Sequence, residues 1–232
     1  MLTVHPHPRH MTASEQLGRE AGDRVLRVLV VDDHPAVRTG VLALLEEQPD
    51  LVVIDAVGSA EAAMSVVERE PVDVAVVDYQ LGSHSGLWLS RMLKRLDPAP
   101  RVVIYSAYCD AALAAACVVA EAEALVSKAG VAAELCDAVR AAAAGQTRLP
   151  RVAPRLAEAM RRRLEPEDQA IFGMLLAGTD RGEIATTLGI SAAGLDARMW
   201  AMLHKLERLG SDAARPGPLG ASSPRWGGRR RC

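Results

Sequence analysis

Short apolar runs alternate with helix-period segments from Leu26 to Gly145, and this alternation constrains the fold more than any other feature. The runs cover residues 28–31, 51–54, 73–78, 101–106 and 124–127. They are rich in Val, Leu, Ile and Ala, as strands buried on both faces are. Between them, apolar residues recur three or four positions apart, which predicts helices. Repeated βα units of this kind predict a parallel, doubly wound sheet with helices on both faces.

Four of the runs end in polar residues. Asp32 and Asp33 follow the first run, Asp78 and Ser106 end the third and fourth, and Lys128 follows the fifth. Because such sheets bind ligands beyond the C-terminal ends of their strands, we expect these side chains to meet in one pocket. The alternative is that each carboxylate simply caps a helix or solvates a strand end. Polar residues at four separate strand ends favour the pocket.

The chemistry of this pocket follows from its charges. Asp32, Asp33 and Asp78 would repel one another and raise one another's pKa unless a cation lay between them. A hard divalent ion with oxygen ligands, above all Mg²⁺, suits these donors. Such a site favours a phosphoryl group, whose oxygens the metal and an ammonium neutralise together. Asp78 is then the nucleophile that accepts phosphate, while Lys128 supplies a positive charge and Ser106 a hydroxyl.

Composition excludes several other classes of protein. The net charge of −2 gives no overall attraction to nucleic acid or membrane. No apolar run approaches the roughly 20 residues that a membrane span needs. The N-terminus lacks the apolar stretch of a secretion signal, so we expect a cytoplasmic protein with no membrane partner. The four cysteines have no CxxC spacing, which favours reduced thiols over a disulfide or zinc framework.

Four spaced motifs resemble the receiver domain of two-component response regulators, over roughly residues 26–145. They are VLVVDDHPAVRTGVLALL, VVDYQLGSHSGLWL, VVIYSAY and LVSKAG, and the first is similar to the NarL/LuxR-type subfamily. The resemblance implies a flavodoxin-like (βα)5 fold. It also implies that Asp33, Asp78 and the backbone carbonyl of Gln80 ligate Mg²⁺, with Asp32 acting largely through bound water. Asp78 would be phosphorylated by a sensor histidine kinase, with Ser106 as the switch hydroxyl and Lys128 as the phosphate cation.

The chain departs from the receiver pattern at three places. Leu81-Gly82 stands where Met-Pro is usual, and Leu125 replaces an aromatic three residues before the lysine. The small stretch before the fifth strand becomes Ala120-Glu121-Ala122-Glu123-Ala124. The usual coupling, in which an aromatic ring follows the switch hydroxyl inward, therefore needs a substitute, and phosphate-independent action stays open.

Helical patterns define the C-terminal unit. Apolar residues recur at helical spacing in three segments, and Leu188-Gly189-Ile190-Ser191 forms a Gly-containing turn with Ser191 as the N-cap of the third. This is helix-turn-helix architecture, whose second helix enters the DNA major groove. The segment from Gly178 to Ser191 resembles the LuxR-type helix-turn-helix.

The contact residues of this unit are less typical than its scaffold. Gly194-Leu195-Asp196 stands where the family commonly has Thr-Val-Lys, and residues 151–210 carry nine Lys/Arg against eight Asp/Glu. DNA affinity depends largely on phosphate neutralisation, which Asp196 opposes. The alternative to a DNA role is a solvated helix face for Arg198 and Arg208. The candidate DNA contacts are Arg181, Ser191, Arg198, Lys205 and Arg208.

These patterns divide the chain into five predicted segments. They are a disordered N-terminal arm (1–24), a receiver domain (25–145), a linker (146–163), a helix-turn-helix domain (164–210) and a disordered basic tail (211–232). We expect a response regulator that is not an enzyme in its own right, acting as a homodimer on promoter DNA. A second hypothesis makes the helix-turn-helix a protein-interaction module. A third, an Mg²⁺-dependent enzyme, has no support from a substrate pocket after residue 145.

Overall fold

The computed structural model describes residues 24–214, with side chains described up to Arg208. The predicted N-terminal arm, apart from Arg24, lies outside the described residues, and so does the predicted basic tail beyond Ala214. None of the helices in the described part of the chain is long and apolar enough to cross a membrane.

Five parallel strands form a single sheet: β1 Leu26–Val31, β2 Leu51–Val57, β3 Val74–Asp78, β4 Arg101–Ser106 and β5 Ala124–Ser127. Their order in the sheet is β2-β1-β3-β4-β5. The strand order reverses between β1 and β3, so the C-terminal ends of these two strands form the topological switch point where ligands bind. The predicted parallel, doubly wound sheet is confirmed.

Nine helices accompany the sheet in the described residues. Five lie in the sheet-forming part: α1 Pro35–Glu46, α2 Ala60–Val67, α3 Gly86–Leu93, α4 Ala111–Val119 and α5 Ala132–Ala143. Four follow it: α6 Pro154–Arg161, α7 Pro166–Leu176, α8 Arg181–Leu188 and α9 Ala192–Ala214. A short antiparallel pairing of Gln80–Leu81 with His84–Ser85 joins β3 to α3.

Residues of β1 show why both faces of the sheet are covered. Val28 and Val30 belong to one buried apolar cluster, whereas Leu29 and Val31 belong to the other. Successive side chains of a strand point to opposite faces, so an apolar run without alternation requires helices on both sides. The caps that start these helices are local, for example Ser59 Oγ, which accepts a hydrogen bond from the Ala62 N–H (3.2 Å) ahead of α2.

The segment predicted as a linker is partly structured. The Arg148 N–H donates to the carbonyl of Glu123 (2.7 Å), and the Leu125 N–H donates to the carbonyl of Arg148 (3.3 Å). Residue 148 therefore pairs in parallel with β5 and satisfies backbone groups at the β5 edge of the sheet. Helix α6 then occupies Pro154–Arg161, with Pro154 in the first turn, where a missing N–H carries no penalty.

The C-terminal helices pack around Phe172, which is fully buried and is the only phenylalanine of the chain. Helix α8 ends at Gly189, whose φ of 64° is the left-handed conformation that glycine adopts without strain. Helix α9 runs to Ala214, four residues past the predicted end of the helix-turn-helix at 210. Helix α9 packs against α4 of the sheet-forming part.

Candidate phosphate pocket and helix-turn-helix

The predicted pocket residues come together where β1, β3 and β5 end. The ammonium of Lys128 lies 2.6 Å from Asp32 Oδ2 and 2.8 Å from Asp78 Oδ2. The carboxylates of Asp32 and Asp78 are nearly buried, and Asp33 is more exposed. The ends of two neighbouring parallel strands, β1 and β3, thus place their carboxylates beside one cation that directly follows β5.

Two hydrogen bonds fix the chain at Ser106, which ends β4, and at Lys128, which follows β5. The Lys128 N–H donates to the carbonyl of Ser106 (2.8 Å), and the buried Ser106 Oγ accepts from the Tyr108 N–H (3.0 Å). The ring of Tyr105 lies 5.8 Å from Lys128 Nζ, within the range of a cation–π interaction. Tyr105 was not predicted to belong to the site, and its position beside Ser106 in the sequence was the only signal for it.

Burial and charge set the protonation of the central groups. Burial raises the pKa of Asp78, the negative charge of Asp32 adds to this, and Lys128 acts in the opposite direction. Burial alone would lower the pKa of Lys128, but hydrogen bonds to Asp32 and Asp78 outweigh it and raise that pKa. The ammonium is therefore held in its charged form between the two carboxylates.

A cluster of metal-ligand type surrounds Asp78. Potential ligand atoms of Asp32, Asp33, His34 and Asp78 all lie within 4.8 Å of one another. His34, which was not predicted as a site residue, places Nδ1 2.6 Å from Asp33 Oδ1, and its backbone N–H donates to Asp32 Oδ1 (2.8 Å). Three carboxylates at this spacing form a donor set that could bind a divalent metal ion.

Gln80, the remaining predicted metal ligand, is exposed two residues after Asp78 and pairs with Ser85 in the short antiparallel pairing. Gly86 then approaches Asp78 closely. A Cβ built on Gly86 would lie 2.1 Å from the carbonyl oxygen of Asp78, so only glycine fits there. The loop after β3 is thus packed tightly against the backbone of Asp78.

The predicted DNA contacts are spread over α8 and α9. Ser191 caps α9 by accepting from the Gly194 N–H (3.0 Å), and Arg208 is exposed. Arg198 Nη1 lies 3.0 Å from the buried carboxylate of Asp168, and Lys205 Nζ lies 2.6 Å from Glu165. Two of these cations therefore neutralise carboxylates at the start of α7.

The remaining predicted contact, Arg181, faces the sheet-forming part. Its guanidinium lies 3.2 Å from both Glu121 and Asp196, and Arg91 contacts the same two carboxylates. Arg91 and Glu121 were not predicted as functional residues. The available signal for Arg91 was a charge on the apolar face of α3, three residues after Trp88 and four after Leu87.

Comparison with known proteins agrees with this geometry. The family model described as a response regulator receiver domain matches residues 28–140. The transcriptional regulatory protein LiaR of Bacillus subtilis (strain 168) is 33% identical over 126 residues, which cover 54% of this chain and 59% of LiaR. The transcriptional activator protein ExaE of Pseudomonas putida is 30% identical over 191 residues, which cover 78% of this chain and 89% of ExaE.

A solved structure extends the fold comparison into the C-terminal helices. RcsB from Salmonella enterica serovar Typhimurium, bound to the promoter P1flhDC in the presence of the phosphomimetic BeF3⁻, matches with a TM-score of 0.51 and 21% identity. The match covers 79% of this chain and 93% of the RcsB chain, and it shows that the two proteins share a fold. The chain belongs to the two-component response regulators of the NarL/LuxR type, with a receiver domain followed by a C-terminal helix-turn-helix.

Proposed function

We propose that this response regulator accepts a phosphoryl group on Asp78 from a sensor histidine kinase and regulates transcription by binding promoter DNA as a homodimer. The observation that carries the proposal is the placement of Lys128, whose ammonium lies between Asp32 and Asp78 at the edge of the metal-type cluster. This arrangement supplies a nucleophile, a fixed cation and metal ligands within one pocket.

Each pocket residue has a distinct proposed role. A carboxylate oxygen of Asp78 forms the new bond to phosphorus as the donor's nitrogen leaves. Lys128 and Ser106 contact the phosphoryl oxygens by charge and by hydrogen bond. Asp33, Asp78 and the Gln80 carbonyl would hold Mg²⁺, with Asp32 acting largely through water. When bound, Mg²⁺ would neutralise negative charge on the phosphoryl group.

Labelling with a small phosphodonor tests the acceptor. We expect the full-length protein to incorporate phosphate from radiolabelled acetyl phosphate in the presence of Mg²⁺, and Asp78→Asn to incorporate none. Asp55→Asn, which changes an exposed carboxylate on β2, is the matched control and should label like the native protein. Label that persists in Asp78→Asn would refute the acceptor assignment.

The DNA role is supported by the helix-turn-helix and by the predicted cations on its surface. RcsB, which shares the fold, was solved on promoter DNA. In this chain Arg181, Arg198 and Lys205 already pair with carboxylates, so DNA phosphates would have to replace those partners. Selection of bound fragments from genomic DNA, with and without beryllofluoride, tests this role. Binding should weaken steeply as salt increases.

One observation favours a second candidate function. Asp196, near the N-terminal end of α9, contacts Arg91 of the receiver part and stands where the family commonly has a lysine. A helix-turn-helix of this kind could act mainly by binding protein. Footprinting separates the two functions: no salt-sensitive protection of any genomic fragment, by either the phosphorylated or the unphosphorylated protein, would favour the protein-binding role.

A further inference from the structure

Four charged side chains meet where α9 lies against the receiver part. Arg91 of α3 contacts Glu121 through Nη1 and Asp196 through Nη2. Arg181 of α8 lies 3.2 Å from Glu121 and 3.2 Å from Asp196. Each guanidinium therefore bridges both carboxylates, and each carboxylate is shared by both guanidiniums. We call these four residues the four-charge cluster.

The backbone of Glu121 shows that this arrangement is held against a local conformational preference. Glu121 has a φ of 60° and is the only residue other than glycine with a positive φ in the described part of the chain. A side chain in this left-handed region is disfavoured, and it persists only where surrounding contacts hold it. Glycine would adopt the same backbone without strain, but it has no carboxylate to share between the two arginines.

Arg91 makes the cluster depend on α9. Its side chain is fully buried, and its guanidinium lies 5.7 Å from the ring of Trp200 and 3.9 Å from Met199 Sδ. Its Nε has no hydrogen-bond partner among the described residues. A buried guanidinium is tolerated only when carboxylates neutralise it, and Asp196 on α9 supplies one of its two. Removal of that carboxylate should therefore favour a state in which α9 separates and Arg91 meets water.

The cluster also occupies residues that the DNA role requires. Asp196 lies near the N-terminal end of α9, just after its first turn, where a negative charge would oppose the DNA backbone. Arg181, a predicted DNA contact, has both of its carboxylate partners in the cluster. Docking of α9 and binding of DNA therefore compete for Arg181, and docking neutralises the charge of Asp196.

We propose that Arg91, Glu121, Arg181 and Asp196 form an ion-pair lock that holds α9 on the receiver part, with Asp196 serving for docking rather than for DNA contact. The lock itself is inferred from contacts within this chain. We also expect its release to raise DNA affinity, and this consequence rests on the proposed function. Contacts of Ser85 with Glu207, and of Trp88 with Trp200 (ring centroids 6.3 Å apart), lie in the same interface and report on its opening.

Tryptophan emission of the full-length protein tests the lock. The chain has three tryptophans, and Trp226→Phe leaves only the two at the interface, Trp88 and Trp200. In that background we would compare Glu121→Gly, which relieves the left-handed backbone, with Asp196→Asn, which keeps the shape but removes the charge. Glu183→Gln, at an exposed position on α8, is the matched loss of one carboxylate.

The lock predicts that both cluster variants shift emission to longer wavelength without any phosphodonor, while Glu183→Gln does not. We expect the ratio of undocked to docked protein to rise about 5- to 150-fold, the range that coupling between sites typically spans. Thermal unfolding checks that the variants are folded, and Glu121→Gly should be at least as stable as the parent within the receiver part. Parental emission in both cluster variants would overturn the lock.

A second arm separates the lock from the proposed function. Fluorine NMR would measure whether beryllofluoride with Mg²⁺ binds the native protein, and a duplex pool of random sequence would measure DNA affinity. If beryllofluoride does not bind, phosphate acceptance fails, yet a shifted emission in Glu121→Gly still supports the lock. If the variants undock but gain no DNA affinity, the lock stands and the DNA role fails.

Discussion

The ammonium of Lys128 lies 2.6 Å from Oδ2 of Asp32. Asp32 is nearly buried, so this ion pair places a positive charge directly beside a buried carboxylate. The same ammonium also reaches Asp78 at 2.8 Å, which means that one side chain orients both carboxylates. A phosphoryl group that enters the pocket must therefore rearrange this ion-pair network.

Replacement of Lys128 should slow phosphorylation more than it disturbs folding. In Lys128→Met the two carboxylates lose their shared cation, and the phosphoryl oxygens lose a positive charge in a confined site. We expect the rate of phosphorylation by acetyl phosphate to fall about 10²- to 10³-fold, as when one transition-state donor is removed. Lys128→Arg keeps the charge with a different shape and should recover part of the rate. A native rate in Lys128→Met would contradict the proposed role.

Loss of the Asp78 carboxylate should stabilise the fold in a pH-dependent way. Burial raises the pKa of Asp78, so the folded protein holds this proton more tightly than the unfolded chain does. Stability is therefore lost as pH rises from the ordinary aspartate range, about 4, through the raised pKa, and the loss is complete above it. Asp78→Asn does not lose stability in this way, because asparagine has no carboxyl group to ionise.

At pH 7 we expect Asp78→Asn to unfold at a higher temperature than the native protein, by about 2 to 4 °C for each kcal/mol relieved. The advantage should shrink as pH is lowered towards 4. Thermal unfolding followed by circular dichroism between pH 4 and 8 measures it, with Asp55→Asn as the control. An advantage that grows as pH falls would show that the sign is wrong.

Two glycine substitutions should act in opposite directions. Gly86→Ala places a Cβ 2.1 Å from the Asp78 carbonyl oxygen, so the loop after β3 must move, at a cost of about 1 to 3 kcal/mol. Gly40 lies within α1, and a Cβ there meets nothing within 4 Å. Gly40→Ala should therefore stabilise the protein by about 0.5 to 1 kcal/mol. Urea unfolding measures both, and an unaffected Gly86→Ala would refute the close packing at Asp78.

Arg198 should contribute to stability through Asp168. In Arg198→Ala the buried carboxylate loses a partner at 3.0 Å, which should cost about 1 to 3 kcal/mol. Asp168→Asn combined with Arg198→Ala should recover much of that stability, because no buried charge is then left unpaired. If Arg198 served only for DNA contact, the single variant would unfold like the native protein while losing DNA affinity.

The pocket was predictable because parallel strands that are buried on both faces appear in the sequence as short, continuous apolar runs. Asp32 and Asp78 follow apolar runs whose ends must meet at one edge of the sheet, so their proximity follows from topology alone. The same reasoning predicts the position of Lys128, which directly follows β5. Tyr105, by contrast, reaches Lys128 through side-chain direction, which an apolar run does not specify.

The contacts between the two parts of the chain could not be predicted in this way. Glu121 and Asp196 are remote in sequence, and no periodicity relates them. Both are departures from the family pattern, and the structure brings both onto Arg91. Their departure from the family pattern is visible in the sequence, but their shared contact with Arg91 depends on how α9 docks.

The pairing of residue 148 with β5 has a practical consequence for anyone who divides this chain. A receiver cut at residue 145, where the helical pattern ends, would lose the backbone that satisfies Glu123 and Leu125. An open strand edge of this kind recruits other strands and promotes aggregation. A fragment that extends through Leu149 keeps both hydrogen bonds of Arg148 to this edge, so the place to separate the two halves lies after residue 149 rather than at the end of α5.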